Sequence, residues 1–148
     1  MEYRRPRVFI DSDAFIAGAA STTGASHAIL RLSELGLIEG VSSAQVRREV
    51  ERNLATKLPA ALPAFGLLAD AACRWVEDPQ ADELAAVEGQ ADQKDLPILA
   101  AAVAAGCDWL VTFNEKDFHP RAKTIRVVRP GGFMIALRRI LEELAEQR

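Results

Sequence analysis

The stretch Val8-Phe9-Ile10-Asp11-Ser12-Asp13 constrains the fold more than any other part of the chain. A short apolar run that ends abruptly in two carboxylates is typical of a buried strand that delivers acidic groups to a pocket. In open parallel sheets, ligands bind just beyond the carboxyl ends of the strands. We therefore expect Asp11 and Asp13 to lie at such an edge, and later segments to bring further polar groups to it.

The chain has 148 residues, of which 49% are apolar and 26% charged, and we expect residues 1–148 to form one globular domain. No apolar run reaches the ~20 residues of a membrane span, and the apolar run near the N-terminus is too short for a signal peptide. We therefore expect a cytoplasmic protein with no membrane partner. The net charge of −3 offers no broad basic surface for nucleic acid.

Apolar periodicity predicts strands that alternate with helices. The predicted strands cover residues 7–11, 37–41, 73–77, 108–113 and 124–128. The predicted helices cover residues 26–36, 44–58, 63–72, 78–87, 95–106 and 133–146. The small, glycine-containing segment 12–25 is expected to turn into the first helix. Gly36 is a predicted helix stop, and Ser43 and Asp78 are predicted helix starts. This alternation favours a parallel sheet that helices cover on both faces.

Acidic and amide side chains recur where later segments should turn at the same edge. Asn114 and Asp117 follow the apolar strand Trp109-Leu110-Val111, and Asp92 and Asp95 precede an alanine-rich helix. Each group has an ordinary structural explanation, because Asn and Asp suit turns and Asp caps helices. Taken together, however, they predict a cluster of oxygen ligands.

Glu49 and Glu51 are further candidates, since both flank the apolar stripe of helix 44–58. Periodicity does not choose between them, and a solvated charged face is the alternative for each. Grouped carboxylates repel one another unless a cation, protons or wide spacing relieves the repulsion. A hard divalent cation such as Mg²⁺ takes oxygen ligands, activates water and stabilises charge on a phosphoryl oxygen.

Four stretches carry a more specific signal: Val8-Phe9-Ile10-Asp11-Ser12-Asp13, residues 43–49, residues 94–102, and Leu110-Val111-Thr112-Phe113-Asn114-Glu115-Lys116-Asp117-Phe118. Together they resemble the PIN-domain nucleases, most closely the VapC-like toxins of bacterial toxin–antitoxin pairs. The resemblance extends from about residue 7 to residue 133. It implies a three-layer α/β/α sandwich with a central parallel sheet of strand order 3-2-1-4-5. It also implies cleavage of RNA that depends on Mg²⁺ or Mn²⁺.

The resemblance assigns the family's acidic positions residue by residue, in the order Asp11, Glu49, Asp95 and Asp117. It therefore favours Glu49 over Glu51. The implied metal ligands are Asp11, Asp95 and Asp117, and Glu49 completes the acidic set and orients the attacking water.

The chain departs from the family pattern at two positions. Asp13 stands where members often carry Asn or Ser, and Asn114 stands where many members place an Asp. We interpret Asp117 as the substitute for that Asp, and Asn114 and Asp13 stay further candidate ligands. Candidate phosphate contacts outside the pocket are Arg47, Arg48, Arg52, Arg121 and Lys123.

The expected partners are an RNA substrate, a cognate antitoxin and a second copy of the chain in a homodimer. The C-terminal helix and the apolar region 63–72 are candidate partner surfaces. One alternative is a catalytically inactive PIN-like scaffold that binds RNA or protein. Another is a haloacid-dehalogenase-type phosphatase, with Asp11 as nucleophile and Asp13 as acid and base.

Overall fold

The computed structural model describes residues 3–147 of the chain. The strands are β1 (Arg7–Ile10), β2 (Glu39–Ser43), β3 (Arg74–Val76), β4 (Trp109–Val111) and β5 (Arg126–Val128). They form one parallel sheet in the order β3-β2-β1-β4-β5, so the predicted fold class and strand order are confirmed.

Helices lie on both faces of this sheet. They are α1 (Ser12–Ala20), α2 (Ala25–Glu34), α3 (Ala44–Lys57), α4 (Leu62–Ala72), α5 (Ala81–Ala86), α6 (Leu96–Ala104) and α7 (Pro130–Glu146). Helix α6 packs on β2 and β4 and against α5, whereas α1, α2, α3, α4 and α7 pack on one another. Within residues 3–147, no helix combines the length and the apolar character that a membrane crossing requires.

Strand β1 occupies the middle of the sheet and of the core. Its residues Val8, Phe9 and Ile10 are at most 1% exposed. On one face three consecutive alanines of α6 are buried, and their small side chains let the helix approach the sheet closely. Because β1 is held from both sides, Asp11 at its end is placed by the whole core.

Helix α1 differs from the prediction, because it begins at Ser12, directly after β1, where a turn was expected. Alanines and Gly18 supply no long apolar stripe in this segment, so periodicity alone does not reveal the helix. The side chain of Asp11 caps the helix by accepting a hydrogen bond from the Ser12 amide. The acidic group at the strand end therefore also starts a helix.

The predicted start of α5 at Asp78 is wrong, since the helix begins at Ala81. The Asp78 carboxylate instead accepts hydrogen bonds from the Gln45 amide and from Arg48, and so ties this loop to α3. Most other element boundaries shift by one to three residues. Gly36, with a φ of 81°, follows α2 as predicted.

Candidate functional site

Three neighbouring strands end at the same level of the sheet. Ile10 pairs with Val111, and Val111 pairs with Val128. The ladder continues one step further, because the Asp11 amide donates to Val111 and the Thr112 amide donates to Val128. The side chains that follow β1, β4 and β5 therefore lie side by side at the carboxyl edge.

Asp11 is the most buried carboxylate at this edge, with 7% of its surface exposed. One carboxylate oxygen accepts from the Ser12 amide at 2.7 Å, and the other accepts from the Thr112 hydroxyl at 2.9 Å. Burial, followed by the charge of Asp13 and, more weakly, that of Glu49, raises the pKa of Asp11 to about 7. Asp11 is thus firmly positioned but poorly compensated as an anion.

Asp13 holds the turn that follows β4. Its Oδ2 atom accepts from the Phe113 amide at 3.1 Å and from the Asn114 side-chain amide at 3.2 Å. Its Oδ1 atom is buried and has no hydrogen-bond partner among residues 3–147. Burial raises the pKa of Asp13, while hydrogen bonds from the Phe113 and Ala14 amides and from the Thr112 hydroxyl, together with the charge of Arg129, oppose the rise.

A second acidic group forms where the segment before α6 meets the turn after β4. An antiparallel bridge joins Ala91 to Phe118, and the Asp92 amide donates to the Asp117 carbonyl at 2.9 Å. Carboxylate oxygens of Asp92, Asp95 and Asp117 consequently lie within 4.8 Å of one another. Asp92 was predicted as a neighbour of Asp95 but was not assigned a family position, and the structure places it in the cluster.

Asp95 carries the second orphaned oxygen of the site. It occupies the cap position of α6, yet its side chain forms no capping hydrogen bond. Its Oδ2 atom is buried without a partner in the described part of the chain. Burial raises the pKa of Asp95, the charge of Lys94 partly opposes the rise, and the charges of Asp117, Asp92 and Glu49 add to it.

The structure separates Glu49 from Glu51, which periodicity did not. Glu49 is half-buried, accepts from Gln45 at 2.9 Å, and lies within electrostatic reach of both acidic groups. Glu51 is exposed and pairs with Arg47 at 3.2 Å. Glu49 therefore connects Asp11 with Asp95 across the site.

Asn114 and Asp117 have different surroundings. The Asn114 side chain donates to Asp13, whereas the Asp117 carboxylate lies in the cluster with Asp95. The geometry thus favours Asp117 as the carboxylate that the turn after β4 adds to the acidic site, whereas Asn114 positions Asp13.

The donors at this edge suit a hard divalent cation. They are carboxylate oxygens, and the buried oxygens Oδ1 of Asp13 and Oδ2 of Asp95 have no hydrogen-bond donor among residues 3–147. Mg²⁺ and Mn²⁺ prefer such oxygen ligands, and a cation would offset the burial and the neighbouring negative charges that raise the pKa of Asp11 and Asp95. Within the described part of the chain, Asp92, Asp95 and Asp117 form the group whose carboxylates could jointly hold such an ion. The predicted ligand Asp11 is not a member of this group, and Glu49 lies within electrostatic reach of both Asp11 and Asp95.

Sequence reasoning missed two contributors to this edge. The Thr112 hydroxyl donates a hydrogen bond to Asp11 and accepts one from the Asn114 amide, so it links the end of β1 to the turn that follows β4. Arg129 follows β5 and donates to the Phe113 carbonyl. Its position directly after the fifth predicted strand was the available signal.

Comparison with known proteins gives a consistent result. The family model described as PIN domain matches residues 7–116. A similar chain occurs in the crystal structure of VapBC2 from Rickettsia felis, in which VapBC2 is bound to a DNA fragment from its promoter. The TM-score is 0.63 at 14% identity, and the match covers 83% of this chain and 98% of that chain. No curated protein matches the chain.

The family match favours the PIN interpretation over the phosphatase alternative, because the matched residues 7–116 include Asp11, Asp13, Glu49 and Asp95. The chain belongs to the PIN domain family.

Proposed function

We propose that this protein is a metal-dependent endoribonuclease that hydrolyses RNA phosphodiester bonds. One observation carries the proposal. Four separate segments bring carboxylates to one edge of the sheet, and two buried carboxylate oxygens there have no donor within residues 3–147. Such an arrangement is costly unless a cation completes it. Membership of the PIN domain family favours nuclease chemistry for that cation.

Each acidic residue has a proposed part in the reaction. Asp95 and Asp117, which lie beside Asp92, and Asp11 at the end of β1 would hold Mg²⁺ or Mn²⁺, which when bound would supply an activated water and neutralise charge on the phosphate. Glu49, within electrostatic reach of Asp11 and Asp95, is the residue that would orient the attacking water. Thr112 keeps the Asp11 carboxylate in place through its hydroxyl. Asp13 and Asn114 fix the turn that carries Asp117.

We further propose that the protein is the toxin of a toxin–antitoxin pair in the cytoplasm. Its fold is similar to that of a chain in the VapBC2 complex from Rickettsia felis. The C-terminal helix also leaves apolar side chains uncovered, since Ile135 is 58% and Leu141 50% exposed. These side chains are candidate contacts for an antitoxin or for a second copy of the chain.

The test is RNA cleavage by the purified protein with Mg²⁺, with Mn²⁺ and with chelator, beside an Asp95→Asn variant. We expect cleavage that requires the metal and disappears in the variant. The variant should bind Mn²⁺ more weakly in calorimetry while it keeps its circular dichroism spectrum. Metal binding and RNA binding without cleavage by the wild type would contradict the proposal and support the inactive scaffold.

A further inference from the structure

Arg129 occupies the carboxyl edge beside the acidic site. It directly follows β5, and the ladder between β4 and β5 extends to the hydrogen bond between the Thr112 amide and the Val128 carbonyl, 3.0 Å long. Arg129 precedes α7, and its side chain takes no part in capping that helix. Its side chain is therefore free to reach across to the turn that follows β4.

Two contacts hold the guanidinium of Arg129 against that turn. One nitrogen donates to the Phe113 carbonyl at 3.1 Å, and the guanidinium carbon lies 5.2 Å from the centroid of the Phe113 ring. The amide of the same Phe113 donates to Asp13 at 3.1 Å. Arg129 and Asp13 thus both contact Phe113, and the positive charge of Arg129 is close enough to oppose the rise in the pKa of Asp13.

No carboxylate of residues 3–147 lies within ion-pair distance of Arg129. Two of the arginines that the sequence nominated as phosphate contacts differ in this respect. Arg47 pairs with Glu51 and Asp70, and Arg48 pairs with Asp78. Arg129 is exposed and uses one nitrogen on Phe113, so its remaining donors are open to an anion.

We infer that Arg129 anchors a phosphate of the RNA backbone next to the acidic site, an assignment that rests on the proposed ribonuclease function. The site attracts a cation and by itself repels a polyanion, so a substrate needs a positive contact at its border. A planar guanidinium binds phosphate oxygens through two parallel hydrogen bonds. Because Phe113 already holds the group, little conformational freedom is lost when the phosphate binds.

The fold offers a matched control for Arg129. Arg126 lies three residues before Arg129, is also exposed, and places its guanidinium carbon 5.4 Å from the centroid of the Trp109 ring. It begins β5, however, and so lies at the opposite edge of the sheet. Substitution of Arg126 removes the same charge and the same kind of stacking without touching the acidic edge.

The experiment compares Arg129→Gln, Arg129→Lys and Arg126→Gln in Mn²⁺-dependent cleavage of a short single-stranded RNA. We expect Arg129→Gln to raise KM roughly tenfold with kcat little changed, since hydrogen bonds between charged groups have about that effect. Arg129→Lys should recover part of the loss, and Arg126→Gln should match the wild type. A loss in kcat alone, at unchanged KM, would overturn the assignment.

A binding measurement separates this inference from the proposed function. The same arginine substitutions are made in the Asp95→Asn background, and RNA affinity is measured over a range of salt concentrations. Loss of one phosphate contact lowers the slope of log K against log salt by about 0.7 for a single strand. Equal slopes for Arg129→Gln and Arg126→Gln would overturn the anchor. If the wild type cleaves no RNA, the ribonuclease proposal fails, while these slopes still decide the role of Arg129.

Discussion

The two edges of the sheet surround their carboxylates in opposite ways. At the amino edge, Glu39 lies between Arg7 and Arg74, with N–O distances of 3.0 and 3.1 Å. At the carboxyl edge, Asp11 and Asp95 form no ion pair within residues 3–147 and face other carboxylates. The two arginines lower the pKa of Glu39 against the effect of its burial, whereas burial raises the pKa of Asp11 to about 7.

This contrast separates structural charge from functional charge. A carboxylate that is paired with arginines of the same protein stabilises the folded state, and its affinity for a cation is low. A buried carboxylate without compensation lowers the stability of the metal-free protein and gains when a cation binds. The ion pairs of the amino edge therefore join β1, β2 and β3, whereas the carboxyl edge is where we propose that a cation binds.

The largest expected effect comes from Asp11→Asn, which removes the buried charge at the carboxyl edge. Metal-dependent cleavage should fall by roughly a hundredfold or more, because even indirect contacts to a metal are worth up to about that factor. The metal-free variant should nevertheless be more stable than the wild type above pH 7, by about 1–3 kcal/mol, since an uncompensated anion is gone. Cleavage assays and denaturant unfolding with chelator measure the two effects.

The same substitution should change how stability depends on pH. The pKa of Asp11 is higher in the folded protein than its ordinary value of 3.8, so folding favours the protonated form. The stability of the metal-free wild type should thus fall as pH rises from about 4 to about 7. Asp11→Asn should flatten this part of the profile. An unchanged profile in the variant would show that Asp11 is an ordinary, solvated carboxylate.

A smaller effect is expected from Glu49→Gln, which tests the connection between the two acidic groups. Removal of the charge should lower kcat about 10–100-fold, the usual range for a group that supports a metal site from its outer shell. Glu51→Gln is the control, because Glu51 lies two positions along α3 and pairs with Arg47 in solvent. It should leave cleavage unchanged. Equal losses from the two variants would remove Glu49 from the site.

The smallest effect should come from Glu39→Gln at the amino edge. Loss of both ion pairs should lower the free energy of unfolding near neutral pH by about 1 kcal/mol, with no effect on cleavage. The pKa of Glu39 is lowered in the folded protein, so this contribution is present above its ordinary value of 4.5 and is lost as pH falls below it. The difference from the wild type should therefore narrow in acid. The same holds for Asp11→Asn, but the sign is opposite, because at neutral pH Glu39→Gln lowers the free energy of unfolding and Asp11→Asn raises it.

The exposed pair between Glu142 and Arg138 on α7 provides the reference for this measurement. Glu142→Gln should change stability by no more than a few tenths of a kcal/mol, since water screens such a pair. If Glu39→Gln has no larger effect, the two arginines around Glu39 do not stabilise the sheet.

The sequence by itself determined the parts of this protein that local chemistry controls. A short apolar run followed by Asp11 is sufficient to place a buried strand with an acid at its end, and alternating strands and helices are sufficient for the parallel class. Ser43 at the start of α3 follows from capping and Gly36 after α2 from backbone freedom, and both occur as predicted. Strand order came from the resemblance of longer stretches to the PIN family.

Only the tertiary structure decided which charges are close in space. The bridge between Ala91 and Phe118 brings Asp92 and Asp95 to Asp117, and no local pattern encodes a pairing between segments so far apart in the chain. Glu49 and Glu51 flank the same apolar stripe of α3. The helix itself sets the contact between Arg47 and Glu51, which lie four residues apart, whereas only the packing of α3 gives Glu49 its acidic neighbours. Electrostatic compensation depends on distances across the fold, and those distances exist only after the sheet has assembled.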